Sequence, residues 1–187
     1  MATDRTVSSL SKCQPYRSPW GAFPTRGFGI STGVSSAAIY EGEPVTLDFA
    51  LGANTSNAAY IQASSAVAFF YLAGIAAQTI SGSSAVTHTV IPVHECNPLV
   101  EFKAATKNGT LDSSYIGLCK TLSWDSTLNI AYVDLVDSTA ANYRVVVTDL
   151  VDGEGDSGGY VAFRFLTDAR YQGSTVPSSS PFLAFYR

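Results

Sequence analysis

From Ala37 to Thr167 the chain is a succession of short runs in which apolar and polar residues alternate, each run closed by turn-forming residues. No stretch of about 11 residues or more carries an apolar stripe at the 3.6-residue period of a helix. Val45, Leu47 and Phe49 alternate with Thr46 and Asp48. Val67, Phe69, Tyr71, Ala73 and Ile75 mark one face of a run whose other face carries Phe70 and Leu72, which predicts a central strand buried on both sides. Thr87 to Val93 resumes the alternation, and Pro92, which lacks an amide donor, predicts an edge position. In Leu99 to Ala105, Val100, Phe102 and Ala104 oppose Glu101 and Lys103; Asn108-Gly109 is the strongest two-residue turn signal. Ile116 to Trp124 and Leu128 to Leu135 flank Asp125-Ser-Thr as a hairpin, with room for one short helical turn around Leu111 to Tyr115. Finally, Val145 and Val147 precede, and Val161, Phe163 and Phe165 follow, a glycine-rich loop, and these five side chains predict one core face. The expected fold is all-β: a single compact antiparallel β-sandwich or barrel over residues 37–168, with extended N-terminal (1–36) and C-terminal (169–187) arms.

Composition narrows the function. A chain of 187 residues can bury a real core, roughly 70% of its unfolded surface. Only 14% of residues are charged against 46% hydrophobic, so small uncharged polar groups must cover most of the surface, as in strand-rich, assembly-forming proteins. A net charge of −4 with eleven scattered Lys and Arg argues against a nucleic-acid partner, because phosphate neutralisation needs clustered cations. The polar start Met1-Ala-Thr-Asp-Arg5 predicts no secretory signal, and the densest apolar stretch, Ala66 to Ala77, is too short for a membrane span, so a soluble protein made in a cytoplasm is expected. Cys13, Cys96 and Cys119 have no disulfide or metal spacing and read as incidental thiols. Without a secretory route the sequons at Asn54 and Asn108 read as turns.

The two ends differ from the middle. Residues 1–36 hold Pro15, Pro19 and Pro24 among Tyr16, Trp20, Phe23 and Phe28, too aromatic for a disordered tail and without sustained period. An arm ordered against another surface and an arm folded back over its own domain both fit. The tail ends in Pro181-Phe-Leu-Ala-Phe-Tyr-Arg187, whose aromatics Phe182, Phe185 and Tyr186 need burial somewhere.

Four motifs carry possible chemistry. Gly155-Asp156-Ser157-Gly158-Gly159 spells the nucleophile motif of trypsin-like serine proteases, which requires a histidine base and an orienting carboxylate. The only histidines, His88 and His94, stand 69 and 63 residues before Ser157, where the chymotrypsin order has roughly 140, and neither has that family's surroundings. Asp152, Glu154 and Asp156 alternate like the start of a calcium loop, but Ser157 and Phe163 occupy the places of its glycine and closing glutamate. His88, His94, Cys96 and Cys119 offer zinc-type atoms without zinc-type spacing. The Tyr16 to Trp20 segment also hints at a carbohydrate platform, without the cluster of amides and carboxylates that sugar binding adds. No catalytic residue, metal or cofactor is therefore expected.

Tyr40-Glu-Gly-Glu-Pro-Val45, Tyr71-Leu-Ala-Gly-Ile-Ala76, Ile91-Pro-Val93, Val133-Asp-Leu135 with Asp137-Ser-Thr139, and Arg144-Val-Val-Val147 followed by Val161-Ala-Phe-Arg-Phe-Leu166 succeed one another. In that order they resemble small β-rich structural proteins of tailed-bacteriophage head-gene clusters, capsid decoration or cement proteins among them. The likeness spans about residues 38–167 and excludes the arms. It implies a non-enzymatic virion protein on the outer face of an icosahedral shell, a homotrimer in its common form, whose partners are the major capsid protein and itself. The aromatic arms then supply the anchors: Tyr16, Trp20, Phe23, Phe28, Phe182, Phe185 and Tyr186. A serine protease using Ser157, or a receptor- or carbohydrate-binding virion module, are the alternatives.

Overall fold

In a computed structural model the chain is all-β, two sheets packed together. The structure describes residues 12–30, 38–47, 60–63, 72–80, 90–139 and 143–166. The strands are β1 (Gln14–Arg17), β2 (Thr25–Ile30), β3 (Pro44–Leu47), β4 (Tyr60–Ala63), β5 (Leu72–Ala76), β6 (Val90–Glu95), β7 (Glu101–Lys107), β8 (Cys119–Asp125), β9 (Ile130–Asp134), β10 (Tyr143–Leu150) and β11 (Tyr160–Phe165). A 3-10 turn, Ser113–Tyr115, is capped by Asp112, whose side chain accepts from the Ser114 amide at 2.7 Å. No helix among the described residues is long and apolar enough to cross a membrane.

Strands β2-β4-β3-β5-β6 close into one barrel. Strands β7-β11-β10-β8-β9 form the second sheet, which also closes, because β9 pairs in parallel with the C-terminal half of β7 while β1 pairs with its N-terminal half. The described part of the expected N-terminal arm is thus folded onto this chain's own sheets: β1 extends the second sheet and β2 is a stave of the first barrel. The tail, 169–187, lies outside the described residues.

The two barrels repeat one topology. In each, the first strand pairs in parallel with the third and antiparallel with the fifth, the second with the third and fourth, and the fourth with the fifth. Register repeats too. Pro44 faces Ile75 and Val45 faces Gly74 as Cys119 faces Val146 and Lys120 faces Val145. One residue then bulges at the same place, Ala73 in β5 and Arg144 in β10, so that Thr46 meets Leu72 as Thr121 meets Tyr143. The turn entering the second strand is also shared. Gly42 and Gly117 have φ of 85° and 86°, each donates its amide to the fourth strand (Ala76 or Val147 carbonyl, both 2.8 Å), and the next residue's amide bonds the carbonyl of Tyr40 or Tyr115 at 3.0 Å.

Each barrel has its core. Phe28, Ile39, Val45, Ala73, Ala76, Ile80, Ile91 and Val93 fill the first. The second is built around Phe102, Phe163 and Phe165, whose rings meet at 4.9–6.1 Å, with Val145, Val147 and Val161 completing the face expected from the alternation. Cys13, Leu72, Ile75 and Cys96 join this second cluster, so it reaches into the first barrel's wall.

Two local expectations change. Ala73 and Ile75 do not share a face, since the bulge at Ala73 turns that side chain into the first barrel's core and sends Ile75 toward the second. Pro92 is not on an edge strand, because β6 pairs with both β2 and β5. β5 ends at Ala76, opposite Val93, so the missing Pro92 donor falls just past the ladder, where the Pro92 carbonyl accepts the Ala77 amide at 2.9 Å. The turn expected at Asn108-Gly109 is present, with Asn108 at φ 62° where β7 ends, although the strands on either side, β7 and β8, do not pair.

Candidate functional site

The connector from β1 to β2 crosses from the second sheet to the first barrel, and its chemistry makes it stiff. At its start, Arg17 donates to Asp149 Oδ2 through two nitrogens at 3.1 Å, stands 3.4 Å from Glu101 Oε2, and lies 4.6 Å over the Tyr16 ring. Glu101 also takes Arg164 at 3.0 Å, so β1, β7, β10 and β11 are joined by one charge cluster. The hydrogen bond to Asp149, with a smaller one to Tyr16, raises the Arg17 pKa above its already high ordinary value, which keeps the guanidinium charged. At the far end the Pro24 carbonyl accepts the Glu95 amide at 3.1 Å, and Thr25 Oγ1 donates to the Phe23 carbonyl at 3.3 Å. Between them a turn closes from Gly21 to the Ser18 carbonyl, and Ser18 Oγ accepts the Trp20 amide at 3.2 Å.

This connector presents Trp20, 57% exposed, and Phe23, also exposed, to solvent. Beside it Arg17, Ser18, Pro19, Leu99, Glu101 and Arg164 line an open pocket of about 370 Å³, with Leu99 itself exposed. Exposed aromatic rings carried on a hydrogen-bonded backbone are the kind of residue that anchors protein interfaces. Of the other expected anchors, Tyr16 is half-buried on β1, packed beneath Arg17 and Lys103. Phe28 is corrected: it is 5% exposed inside the first barrel and anchors its own core instead of a partner. Phe182, Phe185 and Tyr186 lie outside the described residues. The sequence did not point to Leu99 or to the charge cluster, because their members are up to 132 residues apart and only β1 docking on β7 assembles them.

The Asp152–Gly159 loop is held by its backbone. Gly155 N donates to Leu111 O (2.8 Å), Leu111 N to Asp156 O (2.9 Å), and the Tyr160 amide to Asp152 Oδ2 (2.8 Å). Gly155 and Gly158 have φ of 89° and 68°, which suit glycine, and a Cβ on Gly159 would stand 2.7 Å from Leu111 Cδ1. Each glycine of the motif thus has a conformational or packing reason. Ser157 is exposed, bridged to Thr110, and lines a pocket of about 320 Å³ with Lys107, Asn108, Asp125, Leu128 and Tyr132 among its walls and no histidine. His94 belongs to the other barrel, its Nδ1 3.3 Å from Thr25 Oγ1 and its pKa lowered by burial; His88 lies outside the described residues. Among the described residues no group of three or more His, Cys, Asp or Glu gathers to hold a metal. Glu154 Oε1 accepts from Ser113 Oγ at 3.2 Å. Cys13 and Cys96 are buried and Cys119 half-buried, and burial raises the pKa of both Cys13 and Cys119, which disfavours reactive thiolates.

No family model matches the chain, and no curated protein and no solved structure matches it.

Proposed function

We propose that this chain is a structural virion protein that binds the outer surface of an icosahedral phage capsid, bridges neighbouring copies of the major capsid protein, and assembles there from the host cytoplasm. The observation that carries this reading is the connector: an exposed tryptophan and phenylalanine fixed at both ends to folded sheets, beside an open pocket with an exposed leucine. The weakly charged surface supports it, since dense subunit contacts then desolvate few ions. Repetition over a shell makes modest single contacts strong together. Phe182, Phe185 and Tyr186 supply a second anchor in this reading. The test is binding of the protein to empty capsids. Trp20→Ala with Phe23→Ala is expected to lower shell occupancy at least about tenfold and to lower the temperature at which particles break. Unchanged occupancy, with the variant folded, would overturn it.

A further inference from the structure

The pocket beside Ser157 lies where β7 and β9 run parallel, and its walls divide into an apolar and a polar part. Leu128, an exposed leucine, supplies the first together with Ile130 and Tyr132. Lys107, Asn108, Asp125 and Ser157 supply the second. Its volume, about 320 Å³, is at the small end of the range for small-molecule sites. Each polar group is already held. Asp125 Oδ1 accepts the Thr127 and Leu128 amides at 3.0 and 3.1 Å, and its Oδ2 takes Lys107 Nζ at 3.2 Å. Asn108 Nδ2 donates to Asp134 Oδ2 at 2.8 Å, and the other oxygen of that carboxylate accepts the Val136 and Asp137 amides. Ser157 is set by its backbone bridge to Thr110 and by Gly158 at φ 68°.

These bonds leave over a mixed set of groups. Asn108 Oδ1 is an acceptor and Ser157 Oγ both donor and acceptor, neither with a partner among the described residues, and Lys107 keeps a further ammonium hydrogen. The charges decide which ligand suits them. With Lys107 paired to Asp125 the pocket carries no net charge, so an anion would meet the carboxylate and a cation the ammonium. A purely apolar ligand would leave the polar groups dry and unpaired. A neutral molecule with an apolar face and a rim of hydroxyls, each able to donate and to accept, satisfies both walls.

We propose that this pocket binds a neutral saccharide through a single pyranose ring, its C–H face against Leu128 and Tyr132 and its hydroxyls on Asn108, Ser157 and Lys107. The site is separate from the aromatic connector, is read on the isolated protein, and gives Ser157 a hydrogen-bonding use that needs no histidine. The test is amide proton–nitrogen correlation NMR of the full chain, titrated with glucose, galactose, mannose and N-acetylglucosamine. At least one sugar is expected to shift the amides of Asn108, Leu128 and Ser157 saturably, with a dissociation constant of about 10 mM or tighter. Asn108→Gly, which suits φ 62°, and Ser157→Ala, at an exposed position, should each keep the fold. Each removes one neutral hydrogen bond and should weaken binding about three- to tenfold. Val90→Thr, exposed on the first barrel, should bind as the wild type does, and glucuronate, the anionic counterpart of glucose, should bind no tighter than glucose. No saturable shift with any of the four sugars, shifts centred on Trp20, tighter binding of glucuronate, full affinity in both pocket variants, or equal loss with Val90→Thr would each overturn the proposal.

Discussion

Glu43 sits in Glu41-Gly-Glu-Pro44, which reads as a solvated turn, yet it is among the most buried carboxyls described. Its Oε2 accepts the Tyr40 amide at 2.8 Å, and burial pushes its pKa from an ordinary 4.5 up to about 7, against the lowering effect of that hydrogen bond. A folded state that holds a proton the unfolded chain has released is favoured by acid. The contribution is therefore fully present below pH 4.5 and is lost as pH rises through about 7. Glu43→Gln keeps the shape and the accepting oxygen and removes the ionisation, so calorimetric melting temperatures of the variant should fall less between pH 4.5 and 8 than those of the wild type. Parallel pH profiles for the two proteins would show that Glu43 ionises without penalty. Nothing in the sequence announces this burial, because the residues that cover the turn, Lys12, Cys13 and Trp124, come from distant segments. Phe28 was misjudged for the same reason: its neighbours in sequence are glycines, and only the pairing of β2 with β6 gives it an interior.

At the scale of elements, the strand flanks of the glycine-rich loop were legible because alternation is a direct consequence of the pleat, and Val145, Val147, Val161, Phe163 and Phe165 are all 2% exposed or less. The bulges at Ala73 and Arg144 were not, since an extra residue shifts the faces without changing composition. The loop's letters suggested chemistry where its geometry gives a turn, and the two readings diverge on substitution. Gly159→Ala forces a Cβ against Leu111 Cδ1 and should cost about 1–3 kcal/mol by urea denaturation, whereas Ser157→Ala, at an exposed position, should stay within about 0.5 kcal/mol. A fluorophosphonate probe is expected to leave the wild-type protein unlabelled. Labelling that Ser157→Ala abolishes would instead restore the protease reading.

At the scale of the whole molecule, the repeat was hidden in the sequence because few residues mark it: Tyr40 and Tyr115, Gly42 and Gly117, Thr46-Leu47 and Thr121-Leu122 recur 75 residues apart, amid otherwise unrelated side chains. A barrel topology constrains burial and turns more than it constrains identities. Two barrels of one topology need not fold as one unit. Here Leu72, Ile75 and Cys96 of the first barrel lie in the second's cluster with 1% exposure or less, and the Tyr40–Trp124 stack bridges them, so neither core is complete alone. Unfolding should accordingly be a single transition, followed equally by far-UV circular dichroism and by Trp124 fluorescence in a Trp20→Phe background. Ile75→Ala opens a cavity at the junction and should lower stability by about 2–4 kcal/mol, moving both signals together. If the dichroism instead splits into two steps and Ile75→Ala shifts only one, the junction is a contact between independent barrels.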